Sequence, residues 1–159
     1  MLEMDPENPI VKCCVQGMDY ESKGDFETAS RLFLYAWEQS TDDFERCIAA
    51  HYVARHQKSP EEALIWNQRS LDHALAVKGE TVSGFFPSLY LNMGKAFEDL
   101  ARWDEARQFY DMAADVLSSL PDNRYSRNVR DGVERALEGI TSRTTPASSK
   151  ATRLQKSQP

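Results

Sequence analysis

Ala101-Arg102-Trp103-Asp104-Glu105-Ala106, followed by Tyr110 and Ala113, is the stretch whose reading decides the fold. On a helix, residues three and four apart share a face, so Ala106, Tyr110 and Ala113 form one stripe of small and aromatic side chains. A small residue, Gly94, stands 12 residues before Ala106. The arrangement occurs again in Gly24-Asp25-Phe26-Glu27-Thr28-Ala29, followed by Phe33 and Ala36 and preceded by Gly17. A weaker copy is Lys58-Ser59-Pro60-Glu61-Glu62-Ala63, followed by Asn67 and Ser70, with His51 in the place of the small residue. The three alanines are spaced by 34 and then 43 residues.

The pattern has a packing logic. Two antiparallel helices come close only where one side chain is small. Gly17 and Gly94 are expected to let the first helix of a pair approach Ala29 and Ala106 on the second. Phe33 and Tyr110, one turn further on, fill the space between the helices. Ala36 and Ala113 leave room for the next pair. In the middle copy His51 and Asn67 replace the small and aromatic residues, which predicts a compensating His51–Asn67 hydrogen bond.

This repeat resembles the tetratricopeptide repeat family. The resemblance implies an all-α fold: a right-handed α-solenoid of three helix-turn-helix repeats with a concave groove. The repeats cover about 10–43, 44–77 and 87–120, with residues 78–86 inserted. A capping helix is expected at about 126–139, where Val129, Val133, Ala136, Leu137 and Ile140 recur at helical spacing. The helical domain then spans 9–140, between an N-terminal extension at 1–8 and a basic tail at 141–159 rich in Ser, Thr and Pro, expected to be disordered.

Helix boundaries follow from local chemistry. Asn8-Pro9 combines an N-capping amide with a proline whose missing N–H costs nothing in the first turn. Ser59-Pro60-Glu61-Glu62 reads as a second start with capping-box spacing, and Thr41-Asp42-Asp43 as a third. Gly24-Asp25 breaks the first pair, Pro87 opens the helix carrying Tyr90, Met93, Gly94 and Phe97, and Pro121-Asp122-Asn123 ends the sixth helix.

Composition bounds the function. The chain has 159 residues, a net charge of −6 and 28% charged residues. Residues 141–159 hold Arg143, Lys150, Arg153 and Lys156 and no acid, which leaves 15 basic against 25 acidic residues, a net −10, in the rest. Phosphate repulsion by so acidic a body argues against nucleic-acid binding. No apolar run approaches the roughly 20 residues that span a bilayer. The acidic start Met1-Leu2-Glu3-Met4-Asp5-Pro6-Glu7 lacks a basic-then-apolar signal pattern. A cytoplasmic protein without membrane attachment is therefore expected.

No catalytic constellation stands out. Gly79-Glu80-Thr81-Val82-Ser83-Gly84 has the glycine spacing of a phosphate loop, but Phe85 and Phe86 follow where a lysine and a hydroxyl are needed. The segment reads as a flexible connection. Cys13, Cys14 and Cys47 show no CxxC spacing, and Cys13 and Cys47 fall at equivalent repeat positions, too far apart to share a metal. They read as small buried hydrophobes. Neither cofactor, metal nor catalytic residue is expected. Trp37, Trp66 and Trp103 read as inter-helix packing, with Trp66 an alternative contact anchor.

Carrying the family's groove positions onto this chain gives Val11, Cys14, Met18 and Glu21 from the first repeat. The second supplies Ile48, Tyr52, Arg55 and His56, and the third Leu91, Asn92, Lys95, Glu98 and Asp99. Met18, Ile48, Tyr52 and Leu91 would form an apolar floor, with Arg55 and Lys95 as positive points. Such a surface suits an apolar peptide or helix of a protein partner. The family's chaperone-tail clamp is not reproduced, since only Lys95 retains a suitable residue. The implied role is a non-catalytic interaction module. A regulatory peptide sensor and a self-associating scaffold, with a second copy or the chain's own termini in the groove, remain the alternatives.

Overall fold

The structure, a computed structural model, describes residues 4–79 and 82–144. Within them lie seven α-helices and no strand: α1 (Pro9–Ser22), α2 (Phe26–Gln39), α3 (Asp43–Ala54), α4 (Pro60–Ala76), α5 (Phe86–Asp99), α6 (Trp103–Ser118) and α7 (Arg124–Thr144). A single 3-10 turn, Ser83–Phe85, leads into α5. The fold is all-α.

Helices α1 to α4 each begin where a side chain caps the first turn. The Asn8 side chain accepts from the backbone N–H of Ile10 (2.8 Å) and Val11 (3.1 Å), with Pro9 in the first turn. Asp25 caps α2 and Ser59 caps α4. At α3 the cap is Asp42, whose carboxylate accepts from Glu45 N at 2.8 Å. Thr41, expected at that place, instead donates both its backbone N–H and its hydroxyl to Glu45. The Asn8 amide nitrogen also donates to Glu45, at 2.9 Å, so one carboxylate ties the start of α1 to the start of α3.

The turns between paired helices share a geometry. After α1, Gly24 N bonds Glu21 O and Asp25 N bonds Tyr20 O, with Gly24 at φ +80°. After α5, Ala101 N bonds Glu98 O and Arg102 N bonds Phe97 O. This is the helix-ending turn in which one residue takes the left-handed conformation, usually glycine. At the second site the residue is Ala101, at φ +56°.

Packing follows chain order. The closest associations are α1 with α2, α3 with α4 and α5 with α6, and each pair also meets the next. In two pairs the tight approach is a glycine under a ring. Gly17 and Gly94 are buried, and a Cβ on either would stand inside the contact radius of Phe33 or Tyr110. The glycines therefore admit the aromatic rings themselves. Phe33, Tyr110, Met93, Ile48, Val53, Leu117, Val133 and Ile140 are all fully buried in one continuous core. Burying side chains of this size contributes about 1.5–3 kcal/mol each.

On the faces of α2 and α4, Trp37 meets Trp66 edge to face at 5.1 Å, and the Arg69 guanidinium lies 4.5 Å from the centre of the Trp66 ring. Both tryptophans are half-buried packing elements. Trp103 lies beneath Arg143, 5.1 Å from ring centre to guanidinium, which fastens the end of α7 to the start of α6. Helix α7 packs on α6 and α5 with Val129, Val133 and Ile140 buried. It starts at Arg124 and runs to Thr144, so residues 141–144, expected in the tail, continue the helix. Residues 145–159 lie outside the described residues. The stretch before α5 is not a purely solvated connection, since Val82 and Phe85 are buried.

Candidate functional site

Helices α1, α3 and α5 carry the residues proposed from the sequence, but only some of them share an accessible surface. Val11, Cys14, Ile48 and Leu91 are buried in the core. Ile48 and Leu91 therefore do not floor an open groove. They sit where sequence places a helix-lining position, but neighbouring helices cover them. A Cβ on Gly132 would meet Leu91 Cδ2 at 3.5 Å, which shows α7 lying over that side chain. Met18 is exposed, as is Val15 on the same helix.

Glu21, Arg55, His56 and Tyr52 do converge. Glu21 Oε1 lies 2.9 Å from His56 Nε2, and Glu21 Oε2 lies 2.9 Å from Arg55 Nη2. The Tyr52 ring stacks on Phe33 at 5.1 Å, and the His56 ring stacks on Phe33 at 5.5 Å. Arg55 also approaches the Tyr52 face at 5.7 Å. Phe33 is thus a plinth from α2 on which Tyr52 of α3 and His56, just past its end, rest. Desolvation pushes the Tyr52 phenol above its ordinary value. This group joins α1 to α3, so Glu21 and His56 are satisfied by each other and are not free contacts.

Glu98 has a comparable structural engagement. Its Oε2 accepts a hydrogen bond from the Tyr110 hydroxyl at 2.6 Å. Tyr110 is buried, and burial together with the Glu98 carboxylate keeps its phenol protonated well above the usual range.

The His51–Asn67 bond expected from the sequence is not the one His51 makes. The Asn92 amide nitrogen lies 3.3 Å from His51 Nδ1, which joins α3 to α5. Its ring also stands edge-on to Tyr52 at 5.1 Å. Asn92 can donate to Nδ1 only when that nitrogen is unprotonated. Consistently, burial and then the nearby Arg55 charge push His51 down to about 4. The sequence reading paired His51 within its own helix hairpin because helices repeat there; the next helix supplies the partner instead.

Asn67 is exposed to a different environment. It lines a cleft of about 180 Å³ together with Ala54, Arg55, Ala63, Asn92, Lys95, Ala96 and Asp99. Helix α1 packs on α3 and α5 on α7, whereas α3 and α5 make no comparable contact, and the cleft opens at that thinner seam. Alanines from three helices form its walls, and two amides and two cations stand around them. Lys95 is exposed and forms no ion pair among the described residues. Sequence reasoning found Arg55, Asn92 and Lys95 but missed Asn67. The signal was the absence of an aromatic residue there, which leaves space instead of filling it.

A second cavity, of about 700 Å³, lies at the α6–α7 turn and shares none of these residues. Nothing in the sequence reading marked it. Among the described residues, no group of three His, Cys, Asp or Glu side chains is placed to hold a metal ion. Burial pushes the Cys14 and Cys47 thiols up to about 12 and about 11, which makes them poor nucleophiles near neutrality. No helix among the described residues is long and apolar enough to cross a membrane. The chain matches no protein-family model, no curated protein and no solved structure.

Proposed function

We propose that the seven helices form a right-handed α-solenoid of three tetratricopeptide-like pairs with α7 as cap, and that the protein is a non-catalytic, cytoplasmic protein-interaction module. The repeat supports this reading: Gly17 lies under Phe33 and Gly94 under Tyr110, at the same 16-residue separation, in pairs that pack in chain order. The occupied surface is the seam between α3, α4 and α5, extended by Tyr52 and Met18. A peptide or helix of a protein partner fits it, with apolar contacts at the alanine walls and polar ones at Asn67, Asn92 and Lys95.

The observation that carries the assignment is the α3–α5 cleft, lined by two amides and by Lys95, which forms no ion pair among the described residues. Amides donate and accept, so they suit the backbone of a bound segment. The test is site-specific photo-crosslinking in cells. A photoreactive residue at position 95 should capture a discrete partner, and the same residue at Asp111, on the exposed face of α6, should not. Lys95→Glu should abolish capture by a probe placed at Asn67. Equal capture from both helices would remove the seam as the binding surface.

Self-association is the second reading, and one observation favours it. Among the described residues, six of the ten exposed large apolar ones, Val15, Met18, Tyr20, Phe26, Leu34 and Tyr35, belong to α1 and α2. The opposite end of the helix array is covered by α7. A terminal pair whose apolar side chains are exposed among the described residues suits dimerisation. Light scattering across a concentration series distinguishes the two: a monomer at every concentration eliminates the second reading.

A further inference from the structure

The cavity at the α6–α7 turn is separate from the α3–α5 seam and has the size of a small-molecule site. Its volume, about 700 Å³, falls within the usual range for ligand pockets, which is roughly 300–1,000 Å³. Leu120, Pro121, Gly84 and the side of Tyr125 give it mostly apolar walls. Among the described residues that line it there is no acid, and Arg124 is the one cation.

The walls are held in place by their own hydrogen bonds. The Tyr125 hydroxyl donates to Gly84 O at 3.0 Å and accepts from the Ser88 hydroxyl at 2.6 Å, which pins the 3-10 turn against α7. On the other side Asn123 and Ser126 cap each other. Ser126 N donates to Asn123 Oδ1 at 2.9 Å, and Asn123 N donates to Ser126 Oγ at 2.9 Å. The Ser126 hydroxyl then donates to Pro121 O at 2.8 Å. Among the described residues, Tyr125, Asn123 and Ser126 of that corner are thus tied into the fold through their side chains, whereas no hydrogen bond engages the side chains of Arg124 and Asn128. Arg124 forms no ion pair and no hydrogen bond among the described residues. A guanidinium left unpaired at the rim of an apolar cavity is complementary to one anionic group attached to an apolar body.

We propose that this cavity binds a small amphiphile: an apolar, ring-sized or short-chain body seated against Leu120, Pro121 and Tyr125, with one carboxylate, sulfonate or phosphate at Arg124. The site is independent of the protein-binding reading, and its ligand would report on the α6–α7 corner rather than on the seam.

Two dyes test it on the full chain. 1-Anilinonaphthalene-8-sulfonate has an apolar ring body and one anion; N-phenyl-1-naphthylamine is its uncharged counterpart. Both should bind with 1:1 stoichiometry and brighten. Asn128→Trp projects a ring into the cavity from the surface of α7 without touching the Asn123–Ser126 cap, and should weaken both dyes by about tenfold or more. Arg124→Gln should weaken the sulfonate by about tenfold while leaving the neutral dye within about twofold. Circular dichroism melting checks that each variant folds, and Asn128→Phe is the second filling variant. Hydrogen exchange on the unaltered protein gives a readout that needs no variant: the sulfonate should slow exchange around Gly84 and 120–128. Protection confined to α1 and α2, where exposed apolar side chains gather, overturns the proposal. So does a sulfonate affinity unchanged by filling the cavity, or an Arg124→Gln effect equal for both dyes.

Discussion

The ring of Tyr110 occupies the volume that a Cβ on Gly94 would need, with Cζ of the ring only 2.9 Å from where that atom would stand. The same relation joins Phe33 to Gly17, where the corresponding distance is 2.8 Å. Both rings are fully buried, so neither can swing into solvent to make room. Gly94→Ala should therefore destabilise the fold despite alanine's better helix propensity, by about 1–3 kcal/mol net. Urea denaturation measures it. Gly139, which has nothing within 4 Å of a would-be Cβ, is the control, and Gly139→Ala should be neutral or slightly stabilising.

Ala101 offers the opposite case. It holds φ +56° in the turn after α5, where the equivalent turn after α1 has Gly24 at φ +80°. A left-handed conformation costs an alanine roughly 1–2 kcal/mol, and glycine almost nothing. The loss of unfolded-state restriction on introducing glycine offsets part of that gain. Ala101→Gly should raise stability by about 0.5–1 kcal/mol, seen as a higher melting temperature. A lower melting temperature would mean that the turn is not under the strain its dihedral implies.

Glu45 concentrates hydrogen bonds from two chain segments. Burial works to raise its pKa, but the bonds from Thr41 and Asn8 outweigh burial and hold the carboxyl below the usual range. A depressed carboxyl contributes stability that is present above its unfolded pKa of 4.5 and is lost as pH falls through the folded value. Glu45→Gln keeps the shape and removes the charge. It should cost about 1–3 kcal/mol at pH 7, and the cost should shrink below pH 4.5. Thermal melts from pH 3 to pH 7 provide the check.

Much of the fold was legible because it depends on residues whose size has one consequence. Gly17, Gly94, Ala29 and Ala106 mark close approach, and Asn8 and Ser59 mark helix starts by a chemistry that acts within four residues. The end of α7 was misplaced because Thr141, Ser142 and Arg143 look like tail residues, while the anchoring contact of Arg143 is with Trp103, forty residues earlier. The site was less legible. Ile48 and Leu91 fall at groove positions by spacing, yet whether such a position is open depends on which other helix covers it, and spacing along one helix carries no record of that. The partner of His51 was missed for the same reason: Asn92 belongs to the next pair.

His51 should impose an acid dependence of its own. Its pKa falls from 6.5 to about 4, through burial first and the Arg55 charge second. The folded state keeps the ring neutral while the unfolded chain protonates it. Stability is therefore present above pH 6.5 and declines as pH falls toward 4, by an upper bound of roughly 3 kcal/mol. This window lies above that of Glu45, so the two are separable in one titration. His51→Gln should flatten the stability profile between pH 4 and pH 6.5 and leave the Glu45 descent below it. An unchanged slope would assign the upper window to another group.

The middle pair departs from its neighbours at two positions that are 16 residues apart, as Gly17 and Phe33 are and as Gly94 and Tyr110 are. If His51 and Asn67 occupy the same packing relation, restoring the regular residues must be cooperative. Asn67→Phe alone drives a ring toward the His51 side chain and should cost about 1–3 kcal/mol. His51→Gly alone removes the bond to Asn92 and places a glycine inside α3, costing about 1 kcal/mol or more. Together the introduced ring lies over the glycine, and the double variant should be more stable than the sum of the two by about 1–3 kcal/mol. Denaturation of all four proteins closes the cycle. A coupling near zero would show that position 51 does not play the part of Gly17. The double variant also fills the cleft that Asn67 lines, so it should fold well and yet lose any partner captured from Lys95. That separation of stability from binding is what distinguishes a seam kept open for a ligand from one that is merely packed poorly.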